Sequence, residues 1–242
     1  MTSRGGLRAP GSPAHTGFVP TKHGFPFPNC YPHGCPVVSV PTPFGWLPIG
    51  DAAGGLCGGM VFASLDLYLF GLPRPAAPEP PVFRYFCRRL LASWNFPFGV
   101  LKYYVWQCRP GASRFMAGVR SLDGVSRLTI TEEWPRVRAS LDAGMPVPLG
   151  LVQAHSFNPR RLVRNHQVLA YGYELDEAKG EVVLRVYDPN HPNDDATTLS
   201  LSLLDPDRER MVIHSVEGPT VRGFFATEYR RPADAPALGE RV

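Results

Sequence analysis

The sequence predicts an α+β domain in which a helical first half packs against a sheet-rich second half. Before Gly144 the apolar residues recur mostly at helical spacing, and after it they form short runs separated by turns. Residues 60–70 are apolar almost all round, as expected of a helix buried at the centre of a protein. Because no internal repeat is visible, we expect one domain with a cleft between the two halves.

Four helices are expected in the first half. The first begins at or just after Cys57, the second covers residues 81–94 and the third covers about residues 100–108. A short fourth helix follows Thr131, which is expected to be its N-cap. Strands are expected over residues 147–152, 166–173, 181–187, 197–203, 210–214 and 221–227.

Composition divides the chain into three parts. Residues 1–20 are rich in Gly, Pro, Ser and Arg and are expected to form a disordered leader. Residues 21–230 are expected to form the folded domain, and residues 231–242 a flexible tail. Within the domain, residues 21–56 hold many prolines and aromatic residues, so they are expected to be ordered but irregular.

The bulk composition excludes several classes of protein. With 242 residues, 44% of them hydrophobic, the chain is long enough to bury a sizeable core. A net charge of +4 is modest, so nucleic-acid binding is not expected. No apolar run reaches membrane-spanning length, and the N-terminus lacks the apolar segment of a secretory signal. Five cysteines cannot all pair, which favours a reduced, cytoplasmic setting and leaves signal-independent export open.

The strongest candidate for chemistry is Cys57, in the sequence Gly-Leu-Cys-Gly-Gly-Met. A thiol becomes a strong nucleophile when it ionises, and a helix N-terminus favours the thiolate because unpaired amides and the helix dipole point at it. The flanking glycines leave the thiol unshielded, and backbone amides there, such as that of Gly58, are candidates for holding an oxyanion. A structural buried cysteine is the alternative interpretation, but glycines opening a buried helix favour a nucleophile.

The candidate base is His166, which opens an apolar strand and is expected to face the cleft. Asp188 lies one strand later, where the strand gives way to a turn. A carboxylate on that neighbouring strand can accept a hydrogen bond from one ring nitrogen and aim the other nitrogen at the thiol. The alternative for Asp188 is an Asp-Pro step that only forms a turn.

These residues, in the order Cys, His, Asp, resemble the papain-like superfamily of cysteine peptidases. The closest resemblance is to the peptidases that process bacteriocin leaders and to their standalone relatives. It rests on Gly-Leu-Cys57-Gly-Gly-Met, His166-Gln-Val-Leu-Ala-Tyr-Gly-Tyr and Val-Tyr-Asp188-Pro-Asn, which span most of residues 51–190. The resemblance implies a papain-like fold for the catalytic domain, residues 21–230.

The same resemblance implies roles for individual residues. Cys57 would attack a peptide carbonyl, His166 would shuttle the proton, and Asp188 would orient the histidine. Since papain-like relatives often use asparagine in the third role, Asn190 is a second candidate. The implied partner is a peptide or protein substrate, and no cofactor is implied; the oligomeric state is not indicated.

One position departs from the family pattern. Papain-like peptidases usually carry a glutamine about six residues before the cysteine, whose amide helps to hold the oxyanion, and here that position is Asp51. An ionised carboxylate would repel an oxyanion, so Asp51 is protonated, has another task, or leaves the oxyanion to backbone amides. A papain-like cysteine hydrolase is the leading hypothesis. A catalytically silent binding module and an effector-type deamidase or acyltransferase are the alternatives.

A second cluster of potential ligands lies in the proline-rich segment. His23, Cys30, His33 and Cys35 are residue types that ligate zinc. No second cysteine pair follows, however, and loop residues of this composition more often serve packing. We therefore predict no metal, and the absence of a phosphate-cradling glycine loop predicts no nucleotide cofactor.

Overall fold

A computed structural model of the chain describes residues 14–42 and 45–238, and it has a mixed architecture of helices and antiparallel sheet. The helices are α1 (Pro20–His23), α2 (Cys57–Phe70), α3 (Pro80–Ser93), α4 (Phe98–Cys108), α5 (Val125–Leu128) and α6 (Trp134–Asp142). The strands are β1 (Ala14–His15), β2 (Val38–Thr42), β3 (Gly45–Ile49), β4 (Arg114–Met116), β5 (Val119–Leu122), β6 (Val147–Val152), β7 (His166–Asp176), β8 (Glu181–Tyr187), β9 (Thr198–Ser202), β10 (Ile213–His214) and β11 (Gly223–Ala226). The α+β prediction is confirmed at this level.

The main sheet has the antiparallel order β10-β9-β8-β7-β6-β11. Strand β7 is its longest strand, and β8 pairs along one of its edges. On the other edge β6 pairs as far as Ala170, and beyond it β1 pairs with Gly172 and Tyr173. Two separate hairpins, β2–β3 and β4–β5, lie outside this sheet. None of the helices in the described part of the chain is long and apolar enough to cross a membrane.

Helix α2 is the central element of the helical half. Its residues from Gly58 to Leu67 are all buried, as the unbroken apolar pattern predicts. One side of it packs on β7, where Val61, Phe62 and Leu65 belong to the same buried apolar cluster as Leu169. The other side packs on α3 through apolar side chains of both helices. The burial of α2 on both sides fixes where its first residue lies relative to the sheet.

The expectation of a disordered leader is wrong for residues 14–20. Strand β1 pairs with β7, and Phe18 is fully buried against the rings of Tyr68, Tyr171 and Tyr187. Composition does not reveal this order, because the pocket that holds Phe18 is formed by three residues that are distant in the sequence. Residues 1–13 lie outside the described part of the chain.

The expected tail and the expected irregular segment also need correction. Arg231 donates to the carbonyl of Leu69 and stacks over Phe70, and Leu238 packs against the core between α2 and α3. The part of the tail up to residue 238 is therefore anchored, and residues 239–242 lie outside the described part. Within residues 21–56, the hairpin β2–β3 adds regular pairing to an otherwise irregular path.

The prediction that Thr131 is an N-cap is wrong. Helices α5 and α6 form one continuous helical run, joined by a π-helical segment, Thr129–Glu133, and the Thr131 hydroxyl donates to the carbonyl of Arg127. Pro135 has no amide to continue an α-helical ladder, and the amide of Trp134 bonds instead to the carbonyl of Thr129. A proline that is typical of a helix start here follows a π-helical turn inside a longer helix.

A buried charge pair ties α2 to α3 and to the end of the sheet. The carboxylate of Asp66 lies 2.7 Å from Nε of Arg89 and accepts hydrogen bonds from the hydroxyls of Tyr85, at 2.7 Å, and Tyr229, at 2.6 Å. Asp66 is completely buried. Its partners come from α3 and from the segment after β11, so the cluster crosslinks parts of the chain that are far apart in sequence.

We expect Asp66→Asn to lower the free energy of unfolding by about 3–5 kcal/mol, because the buried guanidinium of Arg89 loses its counter-charge. Tyr229→Phe is the matched control, since it removes one hydrogen bond from the same carboxylate and should cost about 1 kcal/mol. Urea denaturation measures both values. Equal losses in the two variants would contradict a dominant role for the charge pair.

Candidate active site

Cys57 is the first residue of α2. Leu56 is the N-cap, and Gly55 precedes it with φ +89°, a backbone conformation that glycine adopts without strain. The amide of Met60 is the first to close a helical turn, onto the carbonyl of Leu56 at 2.9 Å. Since the amides before it have no intrahelical acceptor, they surround the thiol with unpaired donors.

Cys57 is a partly exposed residue, and the ionisation of its thiol is favoured. Burial would by itself raise its pKa, but the charge of His166, a hydrogen bond with that ring and the backbone amides of Gln167 and Gly58 lower the pKa below the ordinary thiol value. The Cys87 thiol behaves in the opposite way, because burial raises its pKa to about 11. Of these two thiols, Cys57 is the one poised as a thiolate.

His166 is the first residue of β7, and its ring is oriented by a carboxylate. Its Nε2 lies 2.7 Å from Oδ1 of Asp188, which leaves Nδ1 for the thiol of Cys57. Burial would lower the pKa of His166, but the negative charges of Cys57 and Asp188 raise it to about 10. The ring is therefore protonated at neutral pH, and the thiolate and imidazolium form an ion pair.

Asp188 follows β8 directly and is 2% exposed. Its Oδ1 accepts hydrogen bonds from the His166 ring and, at 2.8 Å, from the amide of Asn190. Although burial would raise its pKa, the charge of His166 keeps the pKa below the ordinary carboxyl value. The second oxygen lies 3.5 Å from Nε2 of His214. No local pattern marks His214, because only the pairing of β9 with β10 brings it to this carboxylate.

The side chain of Asn190 also reaches this region. Its Nδ2 lies 3.5 Å from Nε2 of His166, whereas the Asp188 oxygen lies 2.7 Å from the same nitrogen. Asp188 therefore makes the closer contact that orients the ring. Asn190 contributes mainly through its backbone amide, which donates a hydrogen bond to the carboxylate of Asp188 and holds it in place.

Asp51 is not directed at the nucleophile. Its carboxylate caps the short 3-10 segment Ala52–Gly54 by accepting from the amide of Ala53 at 3.0 Å, and it also accepts from the amide of Gly34 at 3.3 Å. The hydrogen bond from the amide of Ala53, and to a smaller extent that from Gly34, lowers the pKa of the Asp51 carboxyl. The carboxylate is therefore ionised at neutral pH. Of the three possibilities for this residue, the structure supports a separate task, the capping of a turn.

Gly58 is required by close packing. A Cβ atom at this position would lie 2.4 Å from Oγ of Ser93 and 2.6 Å from Oε1 of Gln167. Gly59 is equally constrained, because its Cβ would lie 2.2 Å from the carbonyl of Phe86. The two glycines after Cys57 therefore allow α3 and β7 to approach the start of α2.

Asn29 contacts the site, although no sequence pattern predicts a role for it. Its Oδ1 accepts from the amide of Leu56 at 2.5 Å, and its Nδ2 donates to Oδ1 of Asn190 at 3.1 Å. It lies in the proline-rich segment, residues 21–56, and no motif marks it. The fold alone brings it between the turn before Cys57 and the turn after β8.

The potential zinc ligands are not assembled. Cys30 is exposed, and Nδ1 of His23 accepts a hydrogen bond from the amide of Val19 at 2.8 Å. In the described ranges, 14–42 and 45–238, no group of three or more His, Cys, Asp or Glu residues has the arrangement of a metal site. Nδ1 of His33 lies 3.4 Å from Oδ2 of Asp51, and in the described residues this exposed pair has no third potential metal ligand beside it.

The structure thus brings Cys57, His166, Asp188 and Asn190 together and leaves Asp51 aside. Comparisons with models of protein families, with curated proteins and with solved structures found no match to this chain. Function therefore has to be argued from the geometry and electrostatics of the site.

Iodoacetamide should alkylate Cys57 at a lower pH than an ordinary thiol, because its lowered pKa maintains a thiolate where an ordinary thiol is protonated. His166→Ala removes the stabilising charge, so the midpoint of the pH profile should move upward. Peptide mapping by mass spectrometry measures both profiles, with Cys87 as the internal control. Preferential labelling of Cys87, or a Cys57 profile that ignores His166→Ala, would refute the ion pair.

Asp51→Ala should leave the alkylation rate of Cys57 within about two-fold of the wild type, because the carboxylate caps a separate turn. It should lower Tm slightly through loss of that cap. Asp51→Asn retains a capping oxygen and should preserve Tm. A large change in thiol reactivity in both variants would place Asp51 at the nucleophile after all.

Proposed function

We propose that this protein is a papain-like cysteine hydrolase that acts on a peptide or acyl substrate. One observation carries the proposal: the Cys57 thiol, at the start of a buried helix, is paired with a histidine that a buried aspartate orients. The nucleophile contacts the base, and the base is held by the orienting carboxylate, which is the arrangement that covalent acyl transfer requires. The three sequence motifs in papain-like order support the same conclusion.

In the first half of the reaction the Cys57 thiolate attacks the substrate carbonyl carbon. A carbon–sulfur bond forms and the carbonyl electron pair moves onto oxygen. As the tetrahedral intermediate collapses, the carbon–nitrogen bond breaks and the His166 imidazolium gives its proton to the departing amine. The product is a thioester on Cys57 and a free amine.

In the second half, neutral His166 takes a proton from water, and the resulting hydroxide attacks the thioester carbon. The carbon–sulfur bond breaks, the acid is released, and the thiolate–imidazolium pair is restored. Throughout both halves Asp188 holds Nε2 of the ring, so that Nδ1 remains directed at the reacting atoms.

Backbone amides are the donors available to the oxyanion. The amides at the start of α2 have no helical acceptor, and the helix dipole adds to their field. The amide of Gly58 already points at the Cys57 sulfur. Because Asp51 faces a different turn, its charge is not directed at this oxyanion.

A catalytically silent binding module is the alternative that the position of Asp51 favours, since no side-chain amide replaces the expected glutamine there. A deamidase or acyltransferase would use the same thioester chemistry with a different leaving group or acceptor. These alternatives differ from a hydrolase in the products they release, and the same substrate pool distinguishes them.

Incubation with a proteome-derived peptide pool should yield new peptide termini, and Cys57→Ala should abolish them. Asp188→Asn should lower kcat by about 10²–10⁴, because the ring loses its orienting charge. As the pH increases, the rate should rise when the Cys57 thiol ionises, at a pH below that of an ordinary thiol. It should fall near pH 10, where His166 loses its proton. Mass spectrometry of the products and a pH–rate profile measure these effects.

Ammonia release without chain cleavage would indicate a deamidase, and transfer of the acyl group to an amine would indicate an acyltransferase. Peptide binding that Cys57→Ala leaves intact, with no turnover and an ordinary thiol pKa, would support the silent module and refute the hydrolase.

A further inference from the structure

We propose that Asn29 is a positioning residue that holds the turn before Cys57 in register with the turn that carries Asp188. The inference rests on the proposed function, since alignment of nucleophile and base has a purpose only if they react. It assigns a role to a residue from the proline-rich segment, outside all three motifs.

The first contact is with the nucleophile's turn. Oδ1 of Asn29 accepts the amide hydrogen of Leu56 at 2.5 Å. Leu56 is the N-cap of α2 and precedes Cys57 directly. This hydrogen bond holds the Gly55–Leu56 peptide, which leads directly into the residue that carries the thiol.

The second contact is with the base's orienting turn. Nδ2 of Asn29 donates to Oδ1 of Asn190 at 3.1 Å, and the Asn29 amide donates to the carbonyl of Pro189 at 2.9 Å. The amide of Asn190 in turn donates to the Asp188 carboxylate at 2.8 Å. Two hydrogen bonds thus connect Asn29 to the residues that follow Asp188.

A carboxamide is suited to this bridge because it carries an acceptor and a donor on one rigid plane. Space for it is provided by Gly55, where a Cβ atom would lie 2.7 Å from Nδ2 of Asn29. The positive φ of Gly55 meets a second requirement of the same turn. One glycine therefore serves both the turn and the bridge.

Directional contacts matter here because α2 and β7 meet mainly through apolar side chains. Apolar packing is non-directional and permits small shifts between packed elements. A reacting constellation has to be held within about 0.5 Å of its productive geometry. The Asn29 bridge supplies a polar constraint between the start of α2, where Cys57 lies, and the turn after β8 that carries Asp188.

The test compares Asn29→Ala, Asn190→Ala and the double variant with the wild type. Asn29→Ala should shift the alkylation profile of Cys57 to higher pH and lower kcat by about ten-fold or more, with little change in KM. Because the two residues act through one link, the double variant should be no slower than Asn29→Ala alone. Asn190→Ala retains the Asn29–Leu56 contact, so it reports on the link even if Asn29→Ala fails to fold.

Asn158→Ala is the matched control, since the Asn158 carboxamide caps the 3-10 segment Pro159–Arg164 by accepting from Arg160 at 3.0 Å. It should lower Tm without moving the alkylation profile. Unchanged profiles in Asn29→Ala and Asn190→Ala, or additive losses in the double variant, would overturn the proposal. The alkylation measurement needs no substrate, so it separates a failure of this proposal from a failure of the proposed hydrolase.

Discussion

The packing of α2 against β7 is the constraint on which the rest of the site depends. Both elements are apolar over most of their length, and their burial leaves the first residue of each at the same end of the interface. Those first residues are Cys57 and His166. Desolvation would penalise a lone charge at this place, so the opposite charges of the thiolate and the imidazolium stabilise each other, and Asp188 and backbone amides add to that stabilisation.

Asp188 makes this pair asymmetric. It binds the ring nitrogen that faces away from the thiol, and it receives support from the amide of Asn190 and from nearby His214. A negative charge behind the ring raises the pKa of His166, so the imidazole stays protonated at neutral pH. The distant Asp66–Arg89 pair has a different task, because it crosslinks helices and contacts no group of the candidate site.

Much of the secondary structure follows from local pattern. Strands β6 and β8 have the expected bounds, and α2 begins at Cys57, because apolar runs and glycine stops are local properties. The wrong predictions have different causes. Phe18 is ordered by three tyrosines from elsewhere in the chain, and Thr131 lies within a helix that continues through a π-helical turn.

Local sequence specifies the chemical identity of the candidate groups: a cysteine between glycines, a histidine opening an apolar strand, and an Asp-Pro step after the next strand. Residue type and flanking pattern are local, so they can be read along the chain. The fold alone sets the contact of Asp51 with the amide of Gly34, and the positions of Asn29 and His214 beside the orienting carboxylate and its turn. These outcomes depend on the relative placement of segments far apart in sequence, which apolar burial sets and no local pattern records.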